Sequence, residues 1–191
     1  MHAKLTNLTA TQAAKRLLGC KLTRRLDGHV LSAVIVETEA YDQSDAASHS
    51  FNGRTQRTDV MFGPAGHLYV YFTYGMHYCC NVVVGPEGYG AAVLIRALQP
   101  LEGIDMMQER RGRGGVGITN GPAKLCQAFG IDKHLNGHDL SKPPLQLEIT
   151  APIKNSAIVT TTRIGISKAK DAMWRYYIDN NDYVSAERMD Q

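Results

Sequence analysis

Apolar and polar positions alternate with a period of two along much of the chain, and a few stretches shift to helical spacing. Thr9 and Gln12 form a capping-box pattern. Ala13, Ala14, Leu17 and Leu18 then fall on one helical face, which Gly19 would end. Residues 20–26 and 29–37 read as strands joined at Asp27-Gly28, a hairpin turn signal. HLYVYFTY (67–74) and MHYCCNVVV (76–84) are rich in aromatic and β-branched residues and meet at Tyr74-Gly75-Met76, which predicts a second hairpin. AAVLIR (91–96) reads as a strand and 101–111 as a helix. Pro122 suits a first helical position, with Leu125, Cys126 and Phe129 as the apolar stripe and Gly130 as the stop. Further strands are expected near 145–150, 157–166 and 174–178. Runs of strands separated by only two or three helices predict an antiparallel α+β fold in preference to a doubly wound sheet.

Two polar stretches interrupt this pattern. Residues 42–66 hold Gly53, Gly63, Pro64 and Gly66, and RRGRGGVGITNG (110–121) combines three arginines with five glycines. The ordinary reading of the second is a solvated, mobile loop, and the functional one is a contact to phosphates.

The chain has 191 residues, 43% of them hydrophobic and 20% charged, which fits one domain spanning 1–191. A net charge of +3 permits a nucleic-acid partner without demanding one. No stretch approaches the roughly 18–20 apolar residues of a membrane span, and the N-terminal residues carry no signal-like apolar run, so neither membrane nor export is expected. Cys20, Cys79, Cys80 and Cys126 lack CxxC spacing, which predicts reduced thiols in a cytoplasmic protein and no metal site. No cofactor is indicated, and monomer is the default.

Candidate chemistry lies where polar residues interrupt apolar strands. In VIVETEAY (34–41), alternation would put Ile35, Glu37, Glu39 and Tyr41 on one face. Two carboxylates at the end of a buried strand are costly unless paired or functional. They can lie solvated past the core edge or serve as a general base, and the pattern does not choose between Glu37 and Glu39. Tyr69, Tyr71, Tyr74 and Tyr78 crowd the second hairpin. Phe72 and one or two tyrosines are expected in the core, whereas Tyr74 at the tip needs another partner, and rings that stack on or wedge between bases are a nucleic-acid tool. His49 in ASHS reads equally as a plain loop histidine. Asn81 is a lone amide in an apolar strand and must find partners if buried.

Taken together, VETEAY (36–41), ASHS (47–50), MFGPAGHLYVYFTYGMHYCCN (61–81), LIRALQPLEG (94–103), NGPAKLCQAFGID (120–132) and RIGI (163–166) resemble, in order, the alkyladenine (3-methyladenine) DNA glycosylases. The resemblance implies a single α+β domain with a curved antiparallel sheet and a hairpin that enters the minor groove of DNA. It implies that Glu39 activates the hydrolytic water, with Arg96 and the carbonyl of Ile164 helping to hold it. Tyr41, His49 and Tyr71 would enclose a flipped base, the His49 backbone reading its edge. Asn81 would crowd the two-amino group of guanine. Tyr74 would wedge into the duplex with Met76 beside it, and Lys124 would approach the DNA backbone. The partner implied is duplex DNA with damaged purines.

Two rival classes remain at this level. A small-sugar glycosidase could use Glu37 and Glu39 as its pair, since same-face strand neighbours lie about 6.5–7 Å apart, within inverting range. It leaves the tyrosine-rich hairpin and the Gly/Arg loop unexplained. A non-catalytic nucleic-acid binder would have no use for Glu39, and a lyase-type mechanism would need Lys124 as its amine.

Overall fold

The computed structural model describes residues 2–73 and 75–185. In chain order its elements are α1 (His2–Thr6), α2 (Ala10–Leu17), β1 (Lys21–Leu26), β2 (His29–Asp42), β3 (Leu68–Thr73), β4 (His77–Val83), β5 (Ala91–Glu102), α3 (Ile104–Arg111), α4 (Pro122–Phe129), β6 (Leu145–Glu148), β7 (Ile158–Thr161) and β8 (Arg175–Ile178). The strands pair antiparallel in the order β3-β4-β5-β2-β1-β6. β2 is the spine. Along one edge its first half pairs with β1, and its second half, Glu37–Glu39, pairs with β8, which also carries β7. The sheet therefore forks and curls around β2. The fold is α+β, as the strand-rich pattern predicts.

The helices form where their caps say they should. Thr9 Oγ1 accepts from the Gln12 N–H at 3.3 Å and Gln12 Oε1 accepts from the Thr9 N–H at 3.0 Å, which satisfies two donors at the start of α2. Ala10, Ala13, Ala14 and Leu17 are buried, and the Thr38 hydroxyl of β2 donates to the Ala14 carbonyl at 2.9 Å. α4 starts at Pro122, ends at Gly130 in the left-handed region (φ 59°), and buries Leu125, Cys126 and Phe129.

One irregularity decides where the polar residues of β2 go. Core-facing residues on β2 are Leu31, Ala33 and Ile35, then Ala40; on β5 they are Ala91, Val93 and Ile95, then Leu98. On both strands the parity changes across the register shifts beside Glu37. Beyond them Glu37, Glu39 and Tyr41 lie opposite the main core, on the face shared with Leu94 and Arg96. Ile35 is thus separated from the two carboxylates, contrary to simple alternation, because an extra residue reverses the faces of a strand.

Other departures have local causes. β2 and β5 run longer than expected, so α3 begins only at Ile104. β7 stops at Thr161, short of the expected 166, because the Arg163 side chain turns inward to a buried carboxylate. Phe72 is 51% exposed, its ring tilted against Tyr78 at 5.0 Å between centroids, and is not core; Tyr69 is. The Gly/Arg stretch forms a 3-10 turn at Gly115–Ile118, where the Arg111 Nε–H donates to the Ile118 carbonyl at 3.1 Å. Arg110 and Gln127 exchange hydrogen bonds with each other's carbonyls, tying α3 to α4. All four cysteines are free and buried. Among the described residues, no helix is long and apolar enough to cross a membrane.

Candidate active site

The face of β2, β4 and β5 opposite the main core forms one wall of a cleft of about 910 Å³. Glu39, Tyr41, His49, Tyr71, Asn81 and Arg96 all line it, and so do Lys124 and Ile164 at its other side. Eight of the ten expected site residues therefore meet in one place. Met76 lies beyond it at the hairpin tip, 70% exposed, and Tyr74 lies outside the described residues.

Glu39 is fully buried. Its Oε1 accepts from the Ile164 N–H at 2.8 Å and lies 3.2 Å from an Arg96 Nη. Its Oε2 accepts from the Tyr41 hydroxyl at 2.8 Å. A carboxylate offers roughly four acceptor positions, so one on Oε2 remains. Glu37 is also fully buried, but it does not line the cleft. Its Oε1 meets Arg96 Nε at 3.3 Å, Arg175 Nε at 3.3 Å and the Ser185 hydroxyl at 2.9 Å; its Oε2 accepts from the Ser185 N–H at 2.7 Å. Arg175–Glu37–Arg96–Glu39 is thus a chain of alternating charge, neutral in sum, which is what allows four ionic groups to share a buried site. Burial works against the Arg96 charge, but Glu39 and Glu37 outweigh it and raise its pKa above the ordinary value. Loss of solvent, and then the Glu39 charge, push the Tyr41 pKa well up, so Tyr41 stays a donor.

The aromatic wall is built by β3 and the loop after β2. Tyr69 and Tyr71 share a face, with ring centroids 5.7 Å apart. His49 meets Tyr71 edge-on at 4.5 Å, and its Nδ1 is 3.0 Å from the Tyr69 hydroxyl. Part of His49 stays open to the cleft, yet crowding of the ring, with Arg57 nearby, pushes its pKa down to about 4. The ring is neutral at physiological pH. Asn81 is buried, and its amide N–H donates to the Tyr69 carbonyl at 3.1 Å, so it has a structural partner while lining the cleft. Lys124 Nζ donates to Asn120 Oδ1 at 2.8 Å at the rim.

Sequence reasoning missed a buried clamp. The Arg163 guanidinium grips both oxygens of Asp45, donates to the Ala40 carbonyl at 2.9 Å, and lies 4.8 Å from the Tyr41 ring and 5.1 Å from Trp174. It fixes the loop that turns at Gly165 (φ 74°) and presents the Ile164 N–H to Glu39. The available signal was an arginine directly before Ile164 in a stretch read as a strand. Asp45 carried none, because its partner is 118 residues away.

Known proteins with this arrangement of sequence were found. Residues 4–182 match the family model described as methylpurine-DNA glycosylase. A relative from Carboxydothermus hydrogenoformans is 54% identical over 90% of this chain and 91% of its own length. One from Methanoculleus marisnigri is 50% identical over 90% and 91%, and one from Nitrosospira multiformis 45% identical over 93% and 89%. All three bear the name "Putative 3-methyladenine DNA glycosylase". A family match over nearly the whole chain, with relatives 45–54% identical along most of their length, places this chain in the methylpurine-DNA glycosylase family, DNA-repair hydrolases that cleave N-glycosyl bonds in DNA.

Proposed function

We propose that this enzyme extrudes damaged purine nucleotides from duplex DNA and hydrolyses their glycosidic bond with Glu39 as the base. One observation carries the reading: Glu39 is buried at the cleft wall, held by Tyr41, Ile164 and Arg96, and has one acceptor position left. That position suits a water, with further N–H donors of Arg96 and the Ile164 carbonyl to hold it. The reacting C1′ is inaccessible in a stacked duplex, so the nucleotide is flipped out, at a cost of a few kcal/mol that damage reduces. Tyr74 fills the gap, with Met76 beside it, and Lys124 meets the backbone. The base enters between Tyr41, His49 and Tyr71, and Asn81 crowds the position where guanine carries its two-amino group.

As the C1′–N bond breaks, its electron pair goes to the base and the sugar becomes oxocarbenium-like, a charge the Glu39 carboxylate stabilises. The water oxygen bonds to C1′ and its proton goes to Glu39. The reaction places the enzyme at the first step of base excision repair.

The test is release of bases from labelled duplexes holding hypoxanthine, ethenoadenine or 3-methyladenine, read as alkali-sensitive sites. Glu39→Gln should bind the damaged duplex and release bases about 10²–10⁴-fold more slowly. A Glu39→Gln protein that releases bases at the parental rate rules this assignment out.

A further inference from the structure

The wall of the cleft holds a cation that the chemistry above does not use. Arg57, in the loop between β2 and β3, places its guanidinium 5.7 Å from the Tyr71 ring centroid, with one Nη 3.5 Å from His49 Nε2. Nearby Arg54 is paired with Asp59 at 2.6 Å, whereas no carboxylate among the described residues lies within ion-pair distance of Arg57. Its charge is therefore directed, without local compensation, at the aromatic wall of the cleft it lines.

We propose that Arg57 sets which lesions this site releases, favouring neutral purine lesions over cationic alkylated ones. The inference rests on the reading of this cleft as the lesion site, and two effects carry it. An alkylated purine bears a positive charge while still bonded to the sugar, so Arg57 repels it on entry and already occupies a tyrosine face that would otherwise attract it. The second effect acts on the bond. When the C1′–N pair moves onto the base, a cationic base becomes neutral and gains nothing from a nearby cation. A neutral base such as hypoxanthine becomes anionic until water protonates it, and Arg57 stabilises that charge as it develops. His49 cannot supply the proton at neutral pH, because crowding and Arg57 itself hold its pKa near 4. Arg57 therefore does electrostatically, for a neutral leaving group, what an acid would do by proton transfer.

The test compares the parent with Arg57→Gln and Arg57→Lys on matched duplexes containing hypoxanthine or 7-methylguanine, measuring KM and single-turnover release. Arg57→Gln should slow hypoxanthine release and lower KM for the cationic lesion. The ratio of kcat/KM for hypoxanthine to that for 7-methylguanine should fall by about three- to tenfold, the scale of one exposed charge contact acting twice. Arg57→Lys should stay close to the parent. An unchanged ratio in Arg57→Gln, or equal losses on both duplexes, overturns the proposal, as does a lysine variant indistinguishable from glutamine. Glu39→Gln in the same assay separates the two readings. If it slows release about 10²–10⁴-fold while the Arg57 ratio is unchanged, only the Arg57 proposal fails. If it releases bases normally while Arg57→Gln shifts the ratio, only the role of Glu39 fails.

Discussion

Glu37 and Glu39 lie two residues apart on one strand, share Arg96, and are equally buried, yet their surroundings divide them. Over Glu37 the chain closes: Ser185 brings both its N–H and its hydroxyl, and Arg175 adds a second guanidinium. Glu39 instead lines the cleft, and the donors that hold it leave one acceptor position on Oε2. A carboxylate closed off from the cleft can balance charge and fix two arginines, but it cannot reach a water placed in the cleft. If Glu39 is the base, the difference between anchor and base is which carboxylate faces the cleft, and neither residue type nor burial reveals it.

The sharpest break of this comparison is Glu39→Gln. General-base contributions are typically 10²–10⁴-fold, so release should fall on that scale while affinity for a damaged duplex stays near the parental value. Single-turnover cleavage together with gel-shift binding reads both. A loss of only a few-fold would mean that electrostatics of the remaining site carries the reaction without a base.

Glu37→Gln comes next and should act on a different quantity. It removes one charge from a buried alternating chain and takes a charged partner from both Arg175 and Arg96, which should cost about 3 kcal/mol of folding stability. Urea denaturation measures this. Release per folded molecule should fall less than about tenfold, on the order of 1.4 kcal/mol. If Glu37→Gln instead abolishes release at unchanged stability, the assignment of anchor and base is reversed.

The sequence carried much of this comparison but not its outcome. Local signals held: the Thr9–Gln12 capping box, Pro122 and Gly130 around α4, and the Asp27-Gly28 turn all form as their chemistry dictates. Glu39, Tyr41, His49, Tyr71, Asn81 and Arg96, named together by the motif resemblance, line one cleft. Long-range partners were what stayed hidden. Ser185 reaches Glu37 across 148 residues and Arg163 reaches Asp45 across 118, and no periodicity encodes such pairings. The register shift beside Glu37 was likewise invisible, because it depends on how β2 and β5 meet. Phe72 misled for a related reason, since an aromatic on a strand suits the outer face of a hairpin as well as a core.

A smaller effect should come from Tyr41→Phe, which keeps the ring against Arg163 and deletes the donor to Glu39 Oε2. A hydrogen bond to a charged group contributes about 1.5–3 kcal/mol, and water can replace part of it in an open cleft. Release should therefore slow by about tenfold, with Tm little changed. An equal slowing on every lesion places the loss at Glu39. A loss confined to one lesion would make the hydroxyl a reader of the base.

The smallest effect concerns His49 and asks whether Glu39 is alone in handling protons. The folded pKa of about 4 lies below the unfolded histidine value of about 6.5. Between these two values the unfolded chain binds more protons than the folded one, so stability rises with pH. The His49 contribution is complete above about pH 6.5 and is lost as the pH falls towards 4. His49→Gln removes it, so the urea midpoint of the variant should depend less steeply on pH in that window than the parent's. Acidic groups common to both proteins cancel in the difference. Catalysis gives the second reading. A ring that is neutral from pH 6 to 8 donates no proton there, so the pH profile of hypoxanthine release should keep its shape in His49→Gln even as KM rises with the loss of an aromatic neighbour of Tyr71. If a limb of that profile vanishes with His49, the imidazole carries a proton in the reaction, and the division of labour on β2 would have to include an acid across the cleft from its base.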